Sequence, residues 1–355
     1  MNQKAGICHK DHLDEEIVRD KPKPWPYDRL KFSWFDKNIW RIDRCVRRFD
    51  ENSVVICVEG PMAAGKHEFA KSLSNELGMR YYGEATVEPM MVHDDGFDYR
   101  TLNWLLPESA QNVDQKMFYL NPRHSGVPGF ICNMYTMKYF HYLEGLTHLF
   151  NTGQGVVHER SPFSDFIFLD ALVKLGYCKK DLKEYYNDIY LDTFQIIHRP
   201  HVVIYLDIPA EESMRRFIAK SPDYVKNSPL MCIEYFQWLE DLYKQTYLPQ
   251  ISKHADVLIY DWRDPGHMDM VIEDIEKLDL SKYDMMTEKL EDWRHYKDTD
   301  YDEDRMGFSY NRHHIYAFFN QPDYDKPSIQ MSMEAVEYRS NIYDIYVSRK
   351  KTYAV

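Results

Sequence analysis

Residues 54–69 read VVICVEGPMAAGKHEF. Gly60, Gly65 and Lys66 fall at the G-x-x-x-x-G-K spacing of a loop whose backbone amides cradle phosphate while the lysine ammonium reaches the outer phosphate oxygens. An apolar run precedes the loop and a helical pattern follows it, so it lies at a strand-to-helix turn, where the helix dipole adds partial positive charge. A glycine turn that merely contains a lysine is the competing reading. His67 stands where such loops carry Ser or Thr, whose oxygen ligates Mg²⁺. Magnesium demands octahedral oxygen ligation, and imidazole is bulky and a poor ligand for it. If losing that ligand resembles losing one oxyanion-hole donor, the transition state is raised by roughly 3–4 kcal/mol. Nucleotide binding survives such a loss more readily than phosphoryl transfer does. The alternative has His67 facing solvent and a neighbouring side chain supplying the magnesium contact.

A second landmark is TGQGVVHERSPFSDFIFLDAL at 152–172, with Glu159, Arg160 and Ser161 just past an apolar run. An arginine beyond a parallel strand sits at the carboxyl edge of its sheet, where ligands bind in open α/β folds. There Arg160 can grip a phosphate or sugar oxygen bidentately, with Glu159 on a ribose hydroxyl. The competing reading is an Arg160–Glu salt bridge that closes the sheet edge.

The elements that must position these groups follow from periodicity. Short β-branched runs at 54–58, 155–158, 202–206 and 257–260, with a weaker one at 79–84, read as buried parallel strands. The spacing of Phe69, Leu73 and Leu77 predicts a helix over 65–77 that Gly78 stops in the left-handed conformation. FICNMYTMKYFHYLEGLTHLF at 130–150 predicts a long helix packed on the sheet with one wet face.

A phosphate loop followed at this separation by Glu-Arg-Ser, then Ser164-Asp165 and an apolar helix, resembles the deoxynucleoside kinase family over about 53–262. The wording of 152–169, and YKQTYLPQI at 243–251, is similar to a branch of that family that serves as an accessory subunit of mitochondrial respiratory complex I. The resemblance implies an α/β fold: a P-loop, nucleoside-kinase-like, five-stranded parallel sheet with helices on both faces. It leaves an amino-terminal arm at 1–52 and an acidic, tyrosine-rich extension at 263–355 for subunit contacts. It also implies other complex I subunits as partners and a place on the matrix side of the mitochondrial inner membrane. The chain would be peripheral to that membrane, with its targeting peptide absent from the sequence.

Carried over by motif, the nucleotide-binding residues are Gly60, Gly65, Lys66, His67, Glu159, Arg160, Asp165, Arg215 and Arg216. The general base of active relatives, a carboxylate in a Glu-Pro context, corresponds to Glu88, with Glu84 as rival. The family's base-reading helix carries Gln and then Arg, where this chain offers Asn133 and Phe140, and Phe166 replaces the arginine after Asp165. An aspartate without guanidinium partners is expected to stand unpaired, in a pocket no longer tuned for nucleobases. The lid keeps only Arg215, Arg216, Lys220 and Lys226, thinly spread, and losing one phosphoryl-stabilising arginine costs ~10³–10⁵ in rate. These departures point to a non-catalytic subunit that requires no cofactor and no metal, with a purine (deoxy)nucleotide as its expected ligand. A working mitochondrial deoxynucleoside kinase, with Glu88 as base and Arg160 beside it, and a nucleotide-sensing regulatory subunit are the alternatives.

The formal charge of −13 argues against a protein that holds nucleic acid or anionic lipid as its main business. Six widely spaced cysteines without a C-x-x-C pair indicate neither a zinc site nor a redox dithiol, and read as free thiols in a reducing compartment. No apolar run reaches the ~18–20 residues of a membrane span, and the start is too acidic for a targeting peptide. Trp25, Trp34 and Trp40, amid KPKPWPY and charge, predict an arm wrapped on a surface. His313-His314 read as a surface or interface pair whose rings point apart, and the acidic run 298–304 as a solvated face, with a bound cation or a basic partner as the alternative. The segment 263–355 lacks the aliphatic runs for its own core, and its aromatic stretches at 309–319 and 336–347 are expected to gain order on a partner.

Overall fold

The β-branched runs become strands β1 (Val55–Glu59), β2 (Arg80–Tyr82), β3 (Val156–Glu159), β4 (Val202–Asp207) and β5 (Asp256–Asp261). All pair in parallel in the order β2-β3-β1-β4-β5. The structure is a computed structural model that describes residues 45–93, 96–264, 266, 268–280, 287–295, 297–323, 325–331, 333 and 335–341. The arm bearing Trp25, Trp34 and Trp40, and the end of the 336–347 run, lie outside the described residues. Each residue of β1 and β3 is buried, as covered central strands require.

The longer helices are α1 (Lys66–Glu76), α2 (Val127–Thr152), α3 (Phe166–Lys174), α4 (Lys180–Thr193), α5 (Ala210–Lys220), α6 (Ile233–Leu242), α7 (Met268–Lys277) and α8 (Asp298–Tyr310). The first turns apolar residues Phe69, Ala70 and Leu73 inward and gives way at Leu77, before Gly78 at φ 64°. Pro128 sits in the first turn of α2, where its missing N–H costs nothing, and Gly153 ends that helix at φ 73°. No described helix is long and apolar enough to cross a membrane. Among the described residues, Cys57, Cys132, Cys178 and Cys232 are free thiols.

The expected wet face of α2 is not continuous. Its last two turns, from Gly145 to Phe150, are buried all round. The cover is α8, the very segment whose acidic residues read as solvated. Phe308 meets Phe150 edge to face at 5.4 Å, and Asn151 Nδ2 donates to Ser309 Oγ at 2.9 Å. Asp302 is fully buried because its Oδ1 accepts from the Cys45 amide at 2.9 Å, and Tyr301 is buried with it. Thus part of the carboxy-terminal extension finds its order on the chain's own core: Tyr301, Phe308, Ile315 and Phe319 are buried. Tyr316, Phe318, Met333 and Val336 remain exposed. The exposed His313 and His314 rings do not diverge as expected; their centroids lie 4.0 Å apart.

Helix α2 lies tight against the sheet at Gly145. A Cβ there would stand 2.0 Å from Nε2 of His158, a buried ring held between Tyr82 at 4.8 Å and Tyr142 at 4.9 Å. Because that ring has nowhere to retreat, Gly145→Ala is expected to destabilise the fold by about 1–3 kcal/mol of overpacking strain, outweighing the ~1 kcal/mol that alanine gains as a helix former. Urea unfolding checks it: the midpoint falls while the slope is retained.

Candidate functional site

The glycine loop joins β1 to α1. Gly60 has φ 147°, and a Cβ at that position would lie 2.7 Å from the Leu206 carbonyl oxygen on β4. Only glycine lets the loop pass so near the neighbouring strand. Gly65 at φ 90° and Ala63 at φ 55° complete the turn, which Ser213 of α5 ties down by donating to the Met62 carbonyl at 2.7 Å. Lys66 is buried, and its Nζ donates to the Pro61 carbonyl at 2.8 Å. Burial first, and then the charge of Arg160, lower its pKa from the ordinary 10.5 to about 7, against the opposing pull of Glu84, Glu159 and Glu59.

His67 is more than half exposed, yet engaged. Its Nδ1 lies 2.8 Å from the Tyr81 hydroxyl, which donates to Glu159 Oε2 at 3.0 Å. Since that hydroxyl's proton goes to the carboxylate, Nδ1 is the donor to its oxygen. Burial, and then the negative charge of Glu159, push the Tyr81 pKa well above its usual value. The residue after Lys66 therefore links α1 to β2 and β3 through a tyrosine, where a phosphate loop ordinarily offers a hydroxyl to a metal.

Arg160 sits at the carboxyl end of β3 in a left-handed backbone conformation, φ 65°, that non-glycine residues seldom adopt. Its Nη1 donates to the Tyr243 hydroxyl at 2.8 Å, and its guanidinium lies 4.8 Å from the Phe168 ring centre. Nε is 3.0 Å from Glu84 Oε1 but out of line for a hydrogen bond, so it counts among the buried atoms with no hydrogen-bond partner. The contact is an ion pair without a directed N–H bond. Of the two sequence readings of this arginine, the pairing with a glutamate at the sheet edge is present, and the side chain also lines the cavity.

That glutamate is the rival, not Glu88. Glu88 is exposed and bound to Arg100, which also holds Asp98 and Asp114. The short helix Glu88–Met91 carries it away from the cavity. Asp165 is not left unpaired: it is buried, forms a short ion pair with Lys138 and accepts from the Tyr186 hydroxyl at 2.7 Å. Lys138 takes the cationic role because it lies four and eight residues beyond Met134 and Phe130 on one face of α2, a spacing visible in the sequence but not singled out. Phe166 instead packs on Tyr190 at 5.9 Å. Arg215 and Arg216 do not reach the cavity either. Both are held by Glu212, one and the same carboxylate, and Arg216 also donates to the Arg263 carbonyl at 2.6 Å. From α5 the cavity receives Phe217 and Lys220.

Sequence reasoning missed Glu59, the last residue of β1. It is fully buried and accepts from Ser161 N at 2.9 Å, Ser161 Oγ at 2.7 Å, Ser164 Oγ at 2.9 Å and the hydroxyls of Tyr243 at 3.2 Å and Tyr247 at 3.4 Å. A glutamate closing an otherwise apolar strand directly before Gly60 is the signal that could have found it.

Around these residues lies a cavity of about 380 Å³. Lys66, Arg160, Glu84 and Glu159 line its loop side, and Phe130, Ile131, Met134 and Leu172 its helix side. That size and mixed lining suit a small molecule with a charged and a flat apolar part. The two cations fit phosphate; the position after Lys66 does not fit magnesium, for want of an oxygen.

A parallel sheet in this order, with a glycine loop and lysine at the carboxyl end of its central strand, defines a P-loop α/β fold. The chain belongs to the deoxynucleoside kinase family, whose signature matches residues 56–292. It is 34% identical, over 71% of its length and 68% of the relative's, to the Mus musculus protein named NADH dehydrogenase [ubiquinone] 1 alpha subcomplex subunit 10, mitochondrial. To the deoxyguanosine kinase of Dictyostelium discoideum it is 25% identical, over 63% of this chain and 69% of that one. A solved deoxyadenosine kinase from M. mycoides with bound dATP aligns with a TM-score of 0.47 at 16% identity, over 62% of this chain and 98% of that one.

The pKa of Lys66 makes stability depend on pH. Between about 7 and 10.5 the unfolded chain holds a proton on this lysine that the folded chain has released, so stability contributed here rises as pH rises through that window. Wild type minus Lys66→Met, compared by urea unfolding at several pH values from neutral to alkaline, is expected to show a positive slope of up to about 1.4 kcal/mol per pH unit. A flat difference would refute the burial account.

Proposed function

We propose that the chain is an accessory, non-catalytic subunit of mitochondrial NADH:ubiquinone oxidoreductase, supporting its assembly or stability from the matrix side of the inner membrane, and that its cavity holds a purine (deoxy)nucleotide without turning it over. Its partners are other subunits of that complex. The observation that carries this reading is His67. At the point where the loop of a working kinase presents a hydroxyl to magnesium, this chain has an imidazole tied to Tyr81 and Glu159. Likeness to the mouse complex I subunit supports the choice of assembly. The arginines expected of a lid are bound to Glu212 rather than turned to the cavity, which supports the loss of transfer.

One observation favours a second reading, a working deoxynucleoside kinase: Glu84 faces the cavity beside Arg160, where a general base would stand. Three measurements separate the two. On the first reading the isolated protein transfers no measurable phosphate from ATP to any deoxynucleoside, and His67→Thr alone does not restore transfer. Deoxynucleotide nonetheless raises unfolding stability, by about 2.7 kcal/mol at a hundredfold excess over Kd. Lys66→Ala abolishes that gain while the protein still migrates with the large respiratory assembly in native gels. Robust ADP release that Lys66→Ala eliminates would establish the second reading instead.

A further inference from the structure

Away from the cavity, three metal-ligating side chains converge where the loop before β4 meets the carboxy-terminal segment. His198 precedes β4, His295 follows the short helix Glu291–Trp293, and Asp304 lies in α8. Their nearest nitrogen and oxygen atoms all fall within 4.8 Å of one another. Nε2 of His198 is 3.3 Å from Asp304 Oδ2, and Nε2 of His295 is 2.5 Å from the same oxygen. The reading of linear spacing gave no sign of this group because its members come from distant parts of the chain.

The surroundings fix both rings. His198 packs against Trp293 at 4.7 Å, Phe150 at 5.6 Å and Phe308 at 5.4 Å, and His295 meets Tyr301 edge to face at 4.3 Å. Aromatic walls of this kind lower the local dielectric and strengthen any charge interaction they enclose. On the other side the cluster is open: the His295 side chain is 20% exposed and that of Asp304 28%, against 9% for His198. Water therefore has access to a fourth position.

From this geometry we infer that His198, His295 and Asp304 form a binding site for a borderline-soft divalent transition metal, Zn²⁺ above all, which fastens α8 to the sheet. Two imidazole nitrogens and one carboxylate oxygen with an open position form a known donor set for tetrahedral zinc, whereas Mg²⁺ and Ca²⁺ prefer all-oxygen sites. Bonds of about 2.1 Å in a tetrahedron set neighbouring ligand atoms about 3.4 Å apart. The His198–Asp304 separation already matches, and the His295–Asp304 hydrogen bond must open by about 1 Å as the metal replaces the shared proton. Two neutral imidazoles and a carboxylate sum to one negative charge, so a dication leaves one positive charge beside the water-accessible face.

The test uses the full-length chain, stripped with chelator and titrated with Co²⁺ and, separately, Zn²⁺. Expected are one equivalent of Co²⁺ with the intense visible bands of four-coordinate ligation, displaced by Zn²⁺, and a rise in melting temperature with Zn²⁺. Asp304→Asn and His295→Ala should each lose the bands and the thermal shift. The double variant of the exposed pair, His313→Ala with His314→Ala, should keep both. Should Asp304→Asn fail to fold by circular dichroism, His295→Ala decides alone, since that side chain is partly exposed. Absence of Co²⁺ bands in wild type at an equimolar or greater metal concentration, or bands lost in the His313/His314 variant but kept in His295→Ala, overturns the site.

Discussion

A carboxylate buried at the end of the central strand organises the site. Glu59 is fully buried, and a carboxyl group there is tolerated only where donors replace its hydration. Here the donors come from the segment after β3 and from the wide helical turn Tyr243–Tyr247 that follows α6. Single wide turns of this kind frequently mark functional sites. By holding those elements to the head of β1, Glu59 sets the place of Ser161, and with it the strained backbone of Arg160 one residue earlier. Tyr243 serves both neighbours, donating to Glu59 and accepting from Arg160. Loop, arginine and cavity wall are thus referenced to one side chain.

Above that floor the cavity is electrically balanced before any ligand arrives. Arg160 has Glu84, Lys138 has Asp165, and the charge of Lys66 is disfavoured first by its burial and then by Arg160. A phosphate entering here would compete with Glu84 for Arg160 and restore the proton to Lys66.

The parallel sheet was legible because covered strands advertise themselves as β-branched runs, and the phosphate loop because its glycine spacing is local. What depended on tertiary pairing was not. Glu88 carried the motif's proline but was turned outward by its short helix, while Glu84, two residues past β2, reached the arginine. As single letters Lys138 and Glu59 gave little sign of their roles, since a lysine in a helix and a glutamate in a strand usually face water; only the helical spacing of the one and the strand-end position of the other pointed inward. The acidic stretch of α8 misled for the same reason. Its aspartates read as a solvated face until Asp302 is seen to accept from the Cys45 amide and Asp304 from two histidines. His67 was conspicuous by its position, but its tie to Tyr81 required knowing that β2 lies beside β3.

The seating of α8 over the end of α2 bears on how this chain meets other proteins. A tail that must be folded by its neighbour loses conformational freedom at the moment of docking, and affinity falls accordingly. Here much of that loss is incurred earlier and internally, as Tyr301, Phe308 and Ile315 sink into the chain's own interior. What stays on the outside, Tyr316 and Phe318, is carried by a segment already anchored at Ile315 and Phe319.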